Sequence, residues 1–167
     1  VRLAENDCAS QLKDINRAGV ALSRAAAGER ALVFASVGPS GKLLASGDIT
    51  EDVLKAAFEE QVESLTEADG LVVETMQDLE EARIAVMAAK ATGLPVIASM
   101  VFDSGKDKDR TMMGTTPEQA AAGLLDAGAD VIGANCGQGI TGFVPVCRRL
   151  KAASEGHPVW IKANAGL

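Results

Sequence analysis

The sequence contains no tyrosine and few aromatic residues of any kind. Aromatic residues make up 3% of the 167 residues, whereas hydrophobic residues make up 47%. Small aliphatic side chains must therefore fill the core, and such a composition suits helices that lie on a parallel sheet. The chain is long enough to form one domain with a substantial core, so we treat residues 1–167 as a single domain.

An excess of positive charge is also missing. The formal net charge is −7, which gives no electrostatic basis for binding nucleic acid or an anionic membrane surface. No apolar run approaches the roughly 20 residues that a membrane-spanning helix needs, and the first residues show no signal-peptide pattern. We therefore expect neither nucleic acid nor a membrane among the partners.

Cysteines are few and show no regular spacing. The three are Cys8, Cys136 and Cys147. An odd, unpatterned set argues against a disulfide framework and favours a reducing compartment, so we expect a cytoplasmic protein. The first residue is Val rather than Met, and we expect the chain to be part of a longer polypeptide.

Short apolar runs alternate with amphipathic segments along the whole chain. The runs predict strands over residues 31–36, 69–75, 96–100, 129–136 and 159–163. The segments between and before them predict helices over residues 8–27, 50–66, 78–90, 116–127 and 143–154. This alternation predicts an α/β fold whose parallel sheet has right-handed crossovers.

The absence of a phosphate-binding fingerprint helps to choose between the parallel-sheet folds. Residues 37–41 match neither the dinucleotide-binding nor the P-loop spacing, which favours a barrel-type sheet. A complete eight-stranded (β/α)8 TIM barrel needs about 250 residues. The chain is therefore expected to cover about five β/α units of an incomplete barrel.

Local patterns in the helices give more detailed predictions. In the first helix, one apolar face should be buried, formed by Leu12, Ile15, Gly19, Leu22 and Ala26. The third helix should begin with a capping box between Asp78 and Glu81, and the fourth with one between Thr116 and Gln119.

Polar residues end three of the predicted strands: Ser36, Glu74, and Asn135 with Cys136. Asn135 and Cys136 lead into glycines, which predict a flexible loop. Because the carboxyl ends of parallel strands carry the ligand site in α/β proteins, these residues are candidates for function. Cys136 could be a metal ligand or a nucleophile, or it could be a buried, inert cysteine. Glu74 could bind a substrate, or it could cap a helix or form a salt bridge.

Five segments occur together in the order of a known family: residues 36–41, 69–75, 100–114, 133–137 and 162–166. The chain resembles the homocysteine-binding domain of the zinc-dependent homocysteine S-methyltransferases. That family includes the first domain of cobalamin-dependent methionine synthase and the betaine–homocysteine methyltransferases. The resemblance implies transfer of a methyl group to the thiol of homocysteine, giving methionine. It also implies that the chain spans the third to seventh strands of the barrel.

The resemblance implies a zinc site to which this chain contributes one ligand. Cys136 matches the first of three zinc-binding cysteines, whereas the Gly-Gly-Cys-Cys motif that supplies the other two is absent from the sequence. Zinc deprotonates a bound thiol outright and leaves one position open for the substrate sulfur. Asn164 matches a residue beside the zinc that can occupy this open position, although an Asn before Ala-Gly can also form a turn.

The resemblance also implies a pocket for the amino acid substrate. Glu74 would hold the ammonium group of homocysteine through a charge-assisted hydrogen bond. Gly38, with its neighbour Pro39, would form a wall of the pocket. Asn135 counts among the substrate-pocket residues, but we expect it to shape the loop through side-chain to backbone bonds. We expect Cys8, Cys147 and His157 to be structural.

The sequence leaves the methyl donor open among methyl-cobalamin loaded from methyl-folate, betaine and S-methylmethionine. A corrinoid protein or domain is accordingly a candidate partner. Two other functions remain open: a catalytically incomplete barrel that acts as a binding or scaffold module, and a TIM-barrel enzyme with unrelated chemistry. For each of these functions, we expect further chain segments or an oligomer to cover the edges of the sheet.

Overall fold

The computed structural model describes residues 1–165, so Gly166, the end of the last segment quoted above, lies outside them. Two short 3-10 helices, Ala4–Asn6 and Ala9–Gln11, precede five helix and strand pairs. The helices are α1 (Leu12–Ala27), α2 (Glu51–Glu63), α3 (Leu79–Lys90), α4 (Pro117–Asp126) and α5 (Ile140–Ala153). The strands are β1 (Phe34–Val37), β2 (Gly70–Met76), β3 (Val96–Met100), β4 (Val131–Gly139) and β5 (Val159–Asn164).

All five strands form one parallel sheet in which neighbours in the chain are neighbours in space, in the order β1-β2-β3-β4-β5. A doubly wound sheet would instead reverse its order at a switch point. The consecutive order is that of a TIM-barrel-like fold, and it confirms the predicted α/β class. Within the part of the chain that the structure describes, β1 and β5 are the two edge strands.

The helices cover one face of the sheet, which we call the outer face. Side chains of β2 and β3 that point to this face, such as Leu71, Val73 and Ala98, are fully buried. Leu54, Phe58 and Val62 of α2 are buried in the same core, as the helical spacing predicts. None of the helices within residues 1–165 is both long and apolar enough to span a membrane.

The prediction for α1 is wrong. Val20 is its buried residue, whereas Ile15 is 45% exposed and Leu22 is 73% exposed. The helix is amphipathic, but it lies beside β1 at the edge of the sheet. No element of residues 1–165 covers its other flank, so the expected stripe faces solvent.

Two local predictions also differ from the structure. Asp78 caps α3 by accepting from the Glu80 N–H, but Glu81 does not complete a capping box. Its buried carboxylate instead accepts from the Ser40 N–H at 2.7 Å, because the loop after β1 passes over the start of α3. The flexible loop expected after Cys136 is also absent from the described residues, since β4 continues to Gly139 and α5 follows at once.

Candidate functional site

The inner face of the sheet, opposite the helices, carries polar side chains near the carboxyl ends of the strands. Strand residues alternate between the two faces, and paired residues in neighbouring strands share a face. The register therefore places one polar residue from each strand on the inner face: Ser36, Glu74, Ser99, Asn135 and Lys162. Two of these were not singled out from the sequence, namely Ser99 and Lys162.

Asn135 lies at the centre of a hydrogen-bond network and is 1% exposed. Its Oδ1 accepts from the Thr75 N–H at 2.8 Å and from Ser99 Oγ at 2.6 Å. Its Nδ2 donates to Thr75 Oγ1 at 2.8 Å and to Cys136 Sγ at 3.1 Å. With its amide fully engaged, Asn135 ties the ends of β2 and β4 together, which supports a shaping role.

The two tied strand ends depart from regular geometry. Thr75 and Cys136 have φ angles of 65° and 58°, a region that non-glycine residues rarely occupy and β-branched residues least of all. The pairing register shifts after Val73 in β2 and after Cys136 in β4. Such bulges re-aim side chains, and backbone strain of this kind concentrates at functional sites. The Cys136 thiol lies 3.8 Å from Thr75 Oγ1 as a result.

Glu74 is fixed on the inner face by two partners. Its Oε1 accepts from Ser36 Oγ at 2.8 Å, and its Oε2 lies 2.6 Å from Lys162 Nζ. The Glu74 side chain is 18% exposed, so this carboxylate is largely shielded from bulk water. The structure thus contains the ion pair that the alternative interpretation of Glu74 anticipates, and the pair involves a residue 88 positions along the chain.

Asn164 ends β5 next to the glycine-rich end of β4 that follows Cys136. Its Nδ2 donates to the Gly137 carbonyl oxygen at 3.1 Å. Glu74, Cys136 and Asn164 therefore all lie at the carboxyl ends of the parallel strands β2, β4 and β5, on one rim of the sheet. We call this edge the carboxyl rim.

Gly38 does not join this cluster. Together with Pro39 it lines a cleft of about 330 Å³ between the chain start, α1 and α2. None of the other proposed site residues lines that cleft.

Thr75, Ser99 and Lys162 were missed in the sequence, although Ser99 and Lys162 carry a recognisable signal. Ser99 and Lys162 are single polar residues within short apolar strands, at the positions that face inward. Thr75 directly follows Glu74, but its left-handed backbone has no sequence signal, because glycine and asparagine are the residues that normally indicate it.

The residues expected to be structural lie away from the carboxyl rim. Cys147 is half-buried on α5, and Cys8 precedes the second 3-10 helix. His157 precedes β5 at the opposite, amino rim, where its Nδ1 lies 3.4 Å from the Asp130 carbonyl oxygen.

A family model for homocysteine S-methyltransferases matches residues 2–167, nearly the whole chain. The chain belongs to the homocysteine S-methyltransferase family. Betaine–homocysteine S-methyltransferase 1 of Danio rerio is 35% identical over 146 residues, which are 86% of this chain and 35% of that protein. The same enzyme of Sus scrofa is 37% identical over 73% of this chain and 43% of that protein.

A methionine synthase of the family, from Mycobacterium tuberculosis, is 27% identical over 99% of this chain and 15% of its own length. The chain thus spans less than half the length of these curated relatives. Among solved structures, a type I 3-dehydroquinate dehydratase from Clostridium difficile matches with a TM-score of 0.50 at 16% identity, over 86% of this chain and 55% of that one. This likeness to a TIM-barrel enzyme concerns the fold alone.

The side chains of this family member that could bind a metal can be compared with the ligands that zinc requires. A catalytic zinc site uses three protein ligands. Residues 1–165 contain no group of three His, Cys, Asp or Glu side chains placed to hold a metal ion. Cys136 is the thiol at the carboxyl rim, and the described residues do not by themselves form a site with three ligands.

Proposed function

We propose that the protein containing this chain transfers a methyl group to the thiol of homocysteine, giving methionine. The observation that carries the proposal is the cluster at the carboxyl rim in a chain of this family. A fixed carboxylate, a thiol and an exposed amide lie at the ends of β2, β4 and β5, on the rim where α/β proteins bind ligands.

Each residue of the cluster has a chemical task in this proposal. Glu74 holds the substrate ammonium through a charge-assisted hydrogen bond, for which its carboxylate is already oriented by Ser36. Asn135 keeps Cys136 and Thr75 in place through hydrogen bonds from its Nδ2. Asn164 lies at the open side of the cluster, where its amide can turn from the Gly137 carbonyl toward an incoming group.

Zinc dependence is part of the proposal. Cys136 would provide one thiolate ligand, and two further cysteines outside residues 1–167 would complete the set. When bound, zinc keeps a coordinated thiol in its thiolate form at neutral pH, which is the nucleophilic form. The hydrogen bond from Asn135 Nδ2 to Cys136 Sγ suits a thiolate, because this amide is a donor.

The larger architecture follows from the same proposal. We assign β1 to β5 to the third to seventh strands of an eight-stranded barrel, in which strands outside residues 1–167 pair with β1 and β5. Such pairing would also cover the apolar flank of α1. A cytoplasmic setting and a corrinoid partner belong to this proposal as well, the latter only if methyl-cobalamin is the donor.

In the test, the complete protein is incubated with homocysteine and one methyl donor at a time: methyl-cobalamin, betaine or S-methylmethionine. The methionine formed is measured. Formation of methionine with one of the three is expected. Glu74→Gln should then raise the KM for homocysteine by roughly 10- to 100-fold, because a charged hydrogen bond becomes a neutral one. Glu60→Gln, the same change at an exposed carboxylate of α2, should leave KM unaltered. Methionine formed with none of the donors would refute the function.

A binding module without turnover is the second candidate. The single thiol at the carboxyl rim within residues 1–165 favours it. It predicts that the complete protein binds homocysteine but holds no zinc, and that no donor yields methionine.

A further inference from the structure

Lys162 lies where the proposed function needs a substrate cation. Its Nζ is 2.6 Å from Glu74 Oε2, the carboxylate oxygen that would receive the ammonium group of homocysteine. Substrate can therefore reach Glu74 only if Lys162 moves.

The two partners of this ion pair differ in freedom. Glu74 is held by Ser36 through its other oxygen, and its side chain is 18% exposed. The Lys162 side chain is 54% exposed and carries its charge on a flexible four-carbon stem. Solvent screens the exposed lysine and weakens its attraction to Glu74. The lysine is therefore the partner that can leave at low cost, and the carboxylate is the one that stays.

The charges of an α-amino acid complement this pair. In homocysteine the ammonium and the carboxylate are attached to the same carbon atom, so their two protein partners must lie close together. Glu74 and Lys162 meet this condition, because their charged atoms are 2.6 Å apart although β3 and β4 lie between their strands. If the ammonium takes Glu74 and the carboxylate takes Lys162, one ion pair is replaced by two, and no charge is left without a partner.

We propose that Lys162 binds the α-carboxylate of the amino acid substrate, after the substrate ammonium displaces it from Glu74. The inference rests on the proposed function and adds to it a determinant of specificity. The pair selects zwitterionic α-amino thiols. A thiol that carries only the ammonium displaces Lys162 from Glu74 and offers the lysine no new anionic partner. A thiol that carries only the carboxylate takes Lys162 and leaves Glu74 without a cationic partner.

The test compares Lys162→Met with the unaltered complete protein in direct binding measurements. The ligands are homocysteine, 3-aminopropanethiol, which lacks the carboxylate, and 4-mercaptobutyrate, which lacks the ammonium. The substitution should weaken the binding of homocysteine by roughly 10- to 100-fold, the range for loss of a charged hydrogen bond. It should leave the affinity for 3-aminopropanethiol unchanged or raise it, because its ammonium no longer competes with Lys162.

Two further variants keep the outcome interpretable. Lys162→Arg retains the charge and should keep most of the affinity for homocysteine. Lys106→Met removes an exposed charge in the loop after β3 and should change none of the three affinities.

Equal losses for homocysteine and 3-aminopropanethiol in Lys162→Met would overturn the inference, since a merely structural lysine would affect both ligands alike. Unchanged affinity for homocysteine would overturn it as well. In both cases the proposed function survives. Failure of the unaltered protein to bind homocysteine would instead remove the proposed function, and this inference with it.

Discussion

At the amino rim of the sheet, an aspartate stands directly before β2 and another before β4, and each closes a pair of hydrogen bonds with the neighbouring chain. Asp69 donates its N–H to the Val33 carbonyl at 2.8 Å, and its carboxylate accepts from the Val33 N–H at 2.7 Å. Asp130 makes the same two bonds with Val96, at 2.9 and 2.8 Å. At the carboxyl rim the same two strands end in bulges.

The amino rim is built from one repeated unit, which joins the start of a strand to the start of its neighbour in the sheet. Arg24 pairs with Asp69 and Lys90 pairs with Asp130, so each aspartate also has a cationic partner. The hydrogen bond from the Val33 N–H, together with Arg24, lowers the pKa of Asp69. Each of the two aspartates thus has both a backbone partner and a cationic partner.

At the carboxyl rim, side-chain contacts also join strands that are not neighbours in the sheet, β2 with β4 and β2 with β5. Asn135 holds Thr75 and Cys136 in backbone conformations that each would avoid alone. Glu74 and Lys162 meet across the rim from β2 and β5. The hydrogen bonds at the amino rim therefore stabilise the sheet, whereas the bulges at the carboxyl rim orient the side chains of the candidate site. Changes at the two rims should therefore have separable effects.

The largest effect should come from Asn135→Ala. The substitution removes four hydrogen bonds and leaves buried partners such as the Thr75 N–H unsatisfied. We expect a loss of about 2–4 kcal/mol in the free energy of unfolding and a loss of homocysteine binding. Urea unfolding and direct binding measurements check both. Homocysteine affinity equal to that of the unaltered protein would show that the network does not shape the site.

A smaller effect, on stability alone, should come from Asp130→Ala. It removes the carboxylate that accepts from the Val96 N–H and pairs with Lys90. We expect the free energy of unfolding to fall by about 1 kcal/mol, the usual contribution of a hydrogen bond, with homocysteine affinity unaltered. Asp107→Ala, at an exposed position in the loop after β3, is the matched control. A change in affinity at Asp130 would break the separation between the rims.

The smallest effect concerns stability in acid, at a contact between α4 and α5. Arg149 of α5 binds Glu118 of α4 through two hydrogen bonds, and this contact lowers the pKa of Glu118 from 4.5 to about 2. A lowered folded-state pKa stabilises the fold above pH 4.5, and the contribution is lost as pH falls from there toward 2.

Glu118→Gln should therefore reduce the dependence of unfolding free energy on pH in this window. The reduction should be modest, because the Glu118 side chain is 49% exposed. Unfolding curves between pH 5 and 2 measure it. Homocysteine binding at neutral pH should not change, and identical pH dependence in both proteins would contradict the assignment.

The parts of the molecule that sequence reasoning predicted are those with local causes. Alternating apolar runs indicated the strands, and the Thr116 to Gln119 capping box formed as expected. Cys136 and Glu74 were found because they end apolar runs. What was missed depends on distant residues.

The long-range features could not be read from local patterns. Glu81 binds the Ser40 N–H instead of capping its own helix because a loop 41 positions away delivers a buried donor. The pairing of Glu74 with Lys162 likewise arises only when the sheet brings β2 and β5 within reach. The stripe of α1 was predicted from periodicity, but burial requires a covering element, and the sequence pattern does not reveal whether one is present.

The central claim is that Cys136 is a zinc ligand at the homocysteine site, and the most direct measurement is the zinc content of the complete protein and two variants. The account predicts one equivalent of zinc per chain in the unaltered protein and in Cys147→Ser, which changes a half-buried cysteine on α5. Cys136→Ser should lose both zinc and turnover, because a hydroxyl is a poorer zinc ligand than a thiolate. Stoichiometric zinc retained in Cys136→Ser, measured by elemental analysis, would contradict the account.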